Sequence, residues 1–196
     1  MRTMGIDIET FSSNDIRYGV YKYVDAPDFE ILLFGYAFDD EPVTCIDLTI
    51  QELPDEIIKA LYDPKITKTA FNANFEITCL RRFFPDLPSE QWECTSVLAL
   101  YNSLPCSLSG VAKALGLTEQ KDTRGKALIR YFSSPCKPTK ANGGRTRNLP
   151  ADAPEKWEEY KSYNVQDVVV ERAIRKSYCP LSYPPGTHLL ACGSAD

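Results

Sequence analysis

Alternation opens the chain. Met4-Gly5-Ile6-Asp7-Ile8-Glu9 sets small or apolar residues against acids with period two, which predicts a strand with two unlike faces and puts Asp7 and Glu9 on the same one. A second apolar run spans Ile31 to Phe38, Asp39-Asp40-Glu41-Pro42 reads as a turn, and Val43–Leu48 reads as a third strand. The opening therefore predicts a three-stranded antiparallel meander. Helical spacing follows from Leu53 to Tyr62, then a short strand over Ile66–Ala70 and a helix from about Asn74. Further helices are predicted over 95–102, 107–115 and 123–132, with a long last one from Pro154 to about Lys176 that carries proline in its first turn. Ser133–Pro150, rich in Pro, Gly, Asn and Lys, reads as a loop. Beyond it, 178–196 has prolines and glycines without helical period. The pattern thus predicts one α/β domain over 1–177 and an irregular tail or linker start over 178–196.

Composition narrows the class. At 43% hydrophobic and 25% charged residues the chain resembles an ordinary globular protein. It contains no run near the ~18–20 apolar residues that cross a bilayer, so no membrane association and a cytoplasmic location are expected. The seven cysteines are odd in number and form no C-x-x-C pair, and His188 is the only histidine, which favours reduced thiols over a zinc site. The net charge of −5 is unevenly spread: 121–150 holds Lys121, Arg124, Lys126, Arg130, Lys137, Lys140, Arg145 and Arg147 against one acid, Asp122. A basic segment on an acidic body suits an enzyme that grips phosphates while gathering carboxylates elsewhere, although a solvated loop would look the same.

Three separated segments carry the candidate chemistry. Asp7 and Glu9 would sit side by side at a strand end, where their mutual repulsion calls for compensation; Mg²⁺ or Mn²⁺ would supply it, since hard cations prefer carboxylate oxygen. Phe71-Asn72-Ala73-Asn74-Phe75-Glu76 adds another carboxylate where a strand turns into a helix. Tyr163-Asn164-Val165-Gln166-Asp167, inside the long helix, places a phenol and a carboxylate four apart on one face. Taken singly, each segment has an ordinary structural explanation.

In this order the segments resemble the three motifs of the DEDD exonucleases, in the subclass that bears tyrosine. The likeness is greatest to the 3′–5′ proofreading domain of family A DNA polymerases of phage and bacterial type. It runs from about Thr3 to Lys176 and includes Lys126–Phe132 and the basic loop after it. The resemblance implies a ribonuclease H-like fold, a mixed sheet flanked by helices, that removes nucleotides from a single-stranded or frayed 3′ end of DNA. Two divalent ions, Mg²⁺ or Mn²⁺, would be held by Asp7, Glu9, Glu76 and Asp167, with Tyr163 orienting the nucleophilic water. The histidine subclass has its base one residue earlier, and here that residue is Ser162. One departure stands out: the family's middle acid is aspartate, and Glu76 extends its carboxylate by ~1.3 Å. Thr10, Asn72 and, by stacking on the terminal base, Phe11 would lie near the substrate, with Lys137, Lys140, Arg145 and Arg147 on its phosphates. Core packing for Phe11 and helix capping for Asn72 or Asn74 are the alternatives. A polymerase domain in cis or in trans would be the partner. Two other readings share these motifs, a ribonuclease D-like exoribonuclease and a non-catalytic nucleic-acid-binding module; retention of every acid disfavours the second.

Overall fold

A computed structural model of the protein describes residues 2–118 and 125–178. Lys121, Asp122, Arg124, His188 and the expected tail, apart from Tyr178, lie outside the described residues. Five strands form one sheet in the order β3-β2-β1-β4-β5, where β1 is Arg2–Phe11, β2 Glu30–Phe38, β3 Thr44–Asp47, β4 Ile66–Ala70 and β5 Trp92–Cys94. The meander appears as expected, β1 to β2 and β2 to β3 antiparallel. Strands β4 and β5 run parallel to β1 and to each other, so the sheet is mixed. The three-residue β5 has no counterpart in the sequence reading, because a run that short leaves no period to detect.

The period-two pattern of β1 decides what each face meets. Met4, Ile6 and Ile8, at most 4% exposed, pack with Tyr23, Ile57, Leu61, Ile77 and Leu80. Those partners come from α1 (Val20–Val24), α2 (Asp55–Tyr62) and α3 (Ala73–Arg81), which cover that face. On the other face lies the long helix predicted from Pro154, here α7 (Pro154–Tyr178). Helices α4 (Thr95–Tyr101), α5 (Leu108–Ala114) and α6 (Gly125–Phe132) pack beside it. The core on this side has two parts. Phe11, Leu32, Leu33, Leu128, Phe132, Trp157, Tyr160 and Tyr163 form one, and Leu98, Val111, Val170 and Ile174 belong to the other. Between Glu9 and Thr10 the pairing skips Leu32, and this bulge turns both Leu32 and Leu33 into the same apolar cluster.

Helix α7 crosses β1 so that successive residues of the acidic face meet successive turns. Arg172 and Glu171 lie over Gly5, Asn164 meets Asp7, and Tyr160 meets Glu9. Among the described residues no helix is long and apolar enough to cross a membrane, and Cys45, Cys79, Cys94, Cys106 and Cys136 are free thiols.

Candidate active site

The three acidic segments, far apart in sequence, meet in one open cleft of about 630 Å³, a volume usual for a small-molecule or nucleotide site. Asp7, Glu9 and Thr10 enter it from the end of β1, Asn72 and Glu76 from the start of α3, and Tyr163 and Asp167 from α7. Two of these placements follow from local rules. Period two puts Asp7 and Glu9 on the α7 side of the sheet, and a spacing of four puts Tyr163 and Asp167 on one stripe of the helix.

Each carboxylate has its own surroundings. Glu9, 7% exposed, accepts a hydrogen bond from the Tyr160 hydroxyl at 2.5 Å, and that hydroxyl also lies 2.7 Å from Ser133 Oγ. Asp7 accepts from the Asn164 side-chain amide at both its carbonyl, 3.0 Å, and its Oδ2, 2.8 Å. Asp167 accepts from the Tyr163 hydroxyl. Burial, and then the charge of Asp167, push the Tyr163 phenol far above its ordinary range, so it remains a neutral hydrogen-bond donor. Glu76 is the most constrained of the set. It is 5% exposed, its Oε2 finds no hydrogen-bond partner among the described residues, and burial followed by the charge of Asp7 drives its carboxyl well above the carboxylate range.

The fit of this site to a divalent cation follows from those facts. The donors are all oxygens, as hard cations require. A cation beside Glu76 would also remove the two penalties that now suppress its charge, desolvation and the neighbouring Asp7. Among the described residues no three His, Cys, Asp or Glu side chains stand close enough together to enclose an ion. The carboxylates therefore share a cleft without forming a closed coordination sphere.

Other predicted residues fall differently. Phe11 is 3% exposed in the core, and the Arg147 guanidinium lies 3.9 Å from its ring centroid, so its face is covered and cannot stack on a base. Arg147 is further tied to Glu30 at 2.6 Å, and Arg145 to Asp152 at 3.1 Å and Asn148 at 3.0 Å; both guanidinium groups brace the loop rather than project from it. Lys137 and Lys140 are exposed and stand outside the cleft lining. The loop itself is built around Asn142, which accepts from the Thr139 and Gly144 amides and donates to the Lys137 carbonyl. Gly143 and Gly144 supply the left-handed turn there. Thr10 is buried, its hydroxyl 2.9 Å from that of Tyr23. Asn72 occupies the position before α3 without capping it, leaving its side chain exposed at the cleft. Tyr160 and Asn164 are the contacts the sequence reading does not single out. A second pair four apart, shifted by one turn from Tyr163 and Asp167 along an otherwise apolar stripe, is the signal that marks them.

Comparison with known proteins finds a relative in sequence and several in fold. No family model matches the chain. A DNA polymerase of Bacillus phage SP02 is 61% identical over 178 residues, covering 89% of this chain and 28% of the polymerase, so the chain spans under a third of that relative's length. Among solved structures, Brucella melitensis NrnC superposes with a TM-score of 0.53 at 16% identity over 90% of this chain and 73% of its own. Escherichia coli RNase D, an exoribonuclease, does so with 0.52 at 17% identity over 91% of this chain and 41% of its own. A further nuclease in its apo form gives 0.58 at 16% identity, over 89% and 70%. At such identities the likeness concerns the fold, and it is the expected ribonuclease H-like one of a mixed five-stranded sheet flanked by helices. By sequence the chain is similar to one segment of this phage DNA polymerase, and its fold is like that of RNase D and NrnC.

Proposed function

We propose that the chain is a 3′–5′ exonuclease that removes nucleotides from a single-stranded or frayed 3′ end of DNA, as the proofreading part of a polymerase. The observation that carries this reading is the convergence of Asp7, Glu9, Glu76, Tyr163 and Asp167, from three distant segments, on one open cleft. The identity to a phage DNA polymerase favours DNA as substrate and a polymerase domain, in cis or in trans, as partner.

Asp7, Glu9, Glu76 and Asp167 would hold the divalent ions, Mg²⁺ or Mn²⁺. When bound, these supply activation of water and neutralisation of charge at the departing 3′ oxygen. The chain's own groups do the rest. Tyr163, kept neutral by burial and by Asp167, orients the attacking water through its hydroxyl. Asn72, exposed at the cleft, and Thr10 stand where the terminal nucleotide would enter. Water attacks the last phosphodiester, the P–O3′ bond breaks, and the terminal nucleotide leaves with its 5′ phosphate.

The test is digestion of matched single-stranded DNA and RNA, each labelled at the 5′ end, with Mg²⁺, with EDTA, and with Mg²⁺ restored. A ladder that shortens from the 3′ end, stops with EDTA and resumes with the metal is the expected result, faster on DNA. Faster digestion of RNA would move the reading to an exoribonuclease, and no metal-dependent digestion of either would end it.

A further inference from the structure

We infer that Asn164 and Tyr160, one turn apart on α7, are positioning residues that hold the carboxylates of Asp7 and Glu9 in the cleft, and that Gly35 is the opening through which Asn164 reaches. The inference rests on the proposed cation-binding role of that cleft.

Asn164 is wholly buried. Its amide nitrogen grips Asp7 at two points, the carbonyl and Oδ2, and so fixes the strand and the side-chain torsion together. An amide kept only for packing would have both ends satisfied, yet Asn164 Oδ1 has no hydrogen-bond partner among the described residues. Its burial is costly, and the hold on Asp7 is what that cost secures.

The route to Asp7 is specific. Gly35 pairs directly with Asp7 across the β1–β2 ladder, and a Cβ on it would lie 2.4 Å from Asn164 Oδ1. Conformational freedom does not explain this glycine, since Gly35 is not among those with positive φ. Close approach does.

Tyr160 treats Glu9 in the same way. Its hydroxyl donates to Glu9 Oε2, and its ring is stacked with Phe132 and with Tyr163 at interplanar angles of 16° and 14°. Buried and packed in this way, the ring holds its hydroxyl toward Glu9, and the same stack backs the Tyr163 ring. Like charges on one strand face would otherwise turn apart, and partners of this kind commonly govern metal affinity by about 10–100-fold.

The experiment is Mn²⁺ binding without nucleic acid, read by the resonance signal of free Mn²⁺, on the parent, Asn164→Leu, Tyr160→Phe, Gly35→Ala, and Asp167→Ala as the ligand-loss control. Leucine preserves the volume of Asn164 and phenylalanine the stack of Tyr160, so a packing role would leave Mn²⁺ affinity unmoved. The inference expects each of Asn164→Leu, Tyr160→Phe and Gly35→Ala to weaken binding by about 10-fold or more while remaining folded. Should Asn164→Leu fail to fold, Gly35→Ala reads the same step, because it displaces Asn164 without removing it. Parent-like affinity in the folded variants, with loss only in Asp167→Ala, would overturn the inference and leave the cation site standing. A parent that binds no Mn²⁺ would overturn both.

Discussion

Among single residues, Glu76 is the one that departs from the motif the sequence resembles, which has aspartate there. It is buried beside Asp7 with one oxygen unpartnered, and under the proposed ion-binding role a cation there would call for a carboxylate more than for a given stem length. Glu76→Asp should therefore keep or raise turnover, and Glu76→Gln should impair it severely; equal rates for Gln and Glu in a digestion assay would place Glu76 outside the ion-binding set. Tyr163 invites a sharper test. Tyr163→Phe keeps the stacked ring and removes the hydroxyl proposed to orient the water, and a misplaced reactant of this kind costs about 10²-fold. The loss should appear in kcat with KM little changed. Two spacings, two along a strand and four along a helix, fixed that Asp7 shares a face with Glu9 and Tyr163 with Asp167, but only the order of the three motifs singled them out, together with Glu76, as a site. Phe11 was not legible in the sequence, since an aromatic beyond a strand end looks the same whether it faces a core or a ligand. Its fate depended on Arg147, more than a hundred residues away.

Helix α7 is the element on which the site hangs. It carries Tyr160, Tyr163, Asn164 and Asp167 into the cleft, and Trp157 below them donates from Nε1 to the buried Asp47 at 2.6 Å, anchoring the helix to β3. Helix α6 supplies its backing: a Cβ on Gly125 would lie 2.0 Å from the Tyr163 ring. Gly125→Ala should thus displace that ring and lower kcat by about 10²-fold without touching any reacting group, whereas unchanged kcat would show that the ring tolerates the shift. Further along α7, Glu171 is buried between Thr95 and Thr69, and burial raises its carboxyl above the ordinary range. A native value raised above the unfolded one contributes stability at low pH that is lost as pH rises through the native value. Glu171→Gln, which keeps polar atoms opposite both threonines, should accordingly lose less stability than the parent as pH climbs from the usual carboxylate range into the neutral one. Parallel melting temperatures across that range would contradict this. The sequence announced α7 through its length and its proline, but Gly125, Gly35 and Asp47 act across the fold at distances no local period reports.

At the scale of the whole molecule, the fold brings three segments together at the end of the central strand. The order β3-β2-β1-β4-β5 sets β1 at the centre, so its acidic end, the β4-to-α3 step and α7 share one opening. The uneven charge has a narrower meaning than the sequence suggested. Arg145 and Arg147 are spent on Asp152 and Glu30, which leaves Lys137 and Lys140 exposed on a well-built loop. If those two lysines meet phosphates, neutralising both should flatten the salt dependence of single-stranded DNA binding by ~1.4 in the log–log slope, at about 0.7 per contact, and an unchanged slope would assign the loop elsewhere. The central claim is that carboxylates gathered from distant segments make this chain cut DNA from its 3′ end. Its most direct test is a time course on single-stranded DNA labelled at the 5′ end, in Mg²⁺, for the parent and for Asp167→Ala. The account predicts that the parent shortens the labelled strand one nucleotide at a time, releasing nucleoside 5′-monophosphates, while the variant, with parent-like thermal unfolding, leaves it intact. Early release of the label on a short fragment, or cleavage by a folded Asp167→Ala at the parent rate, would contradict it.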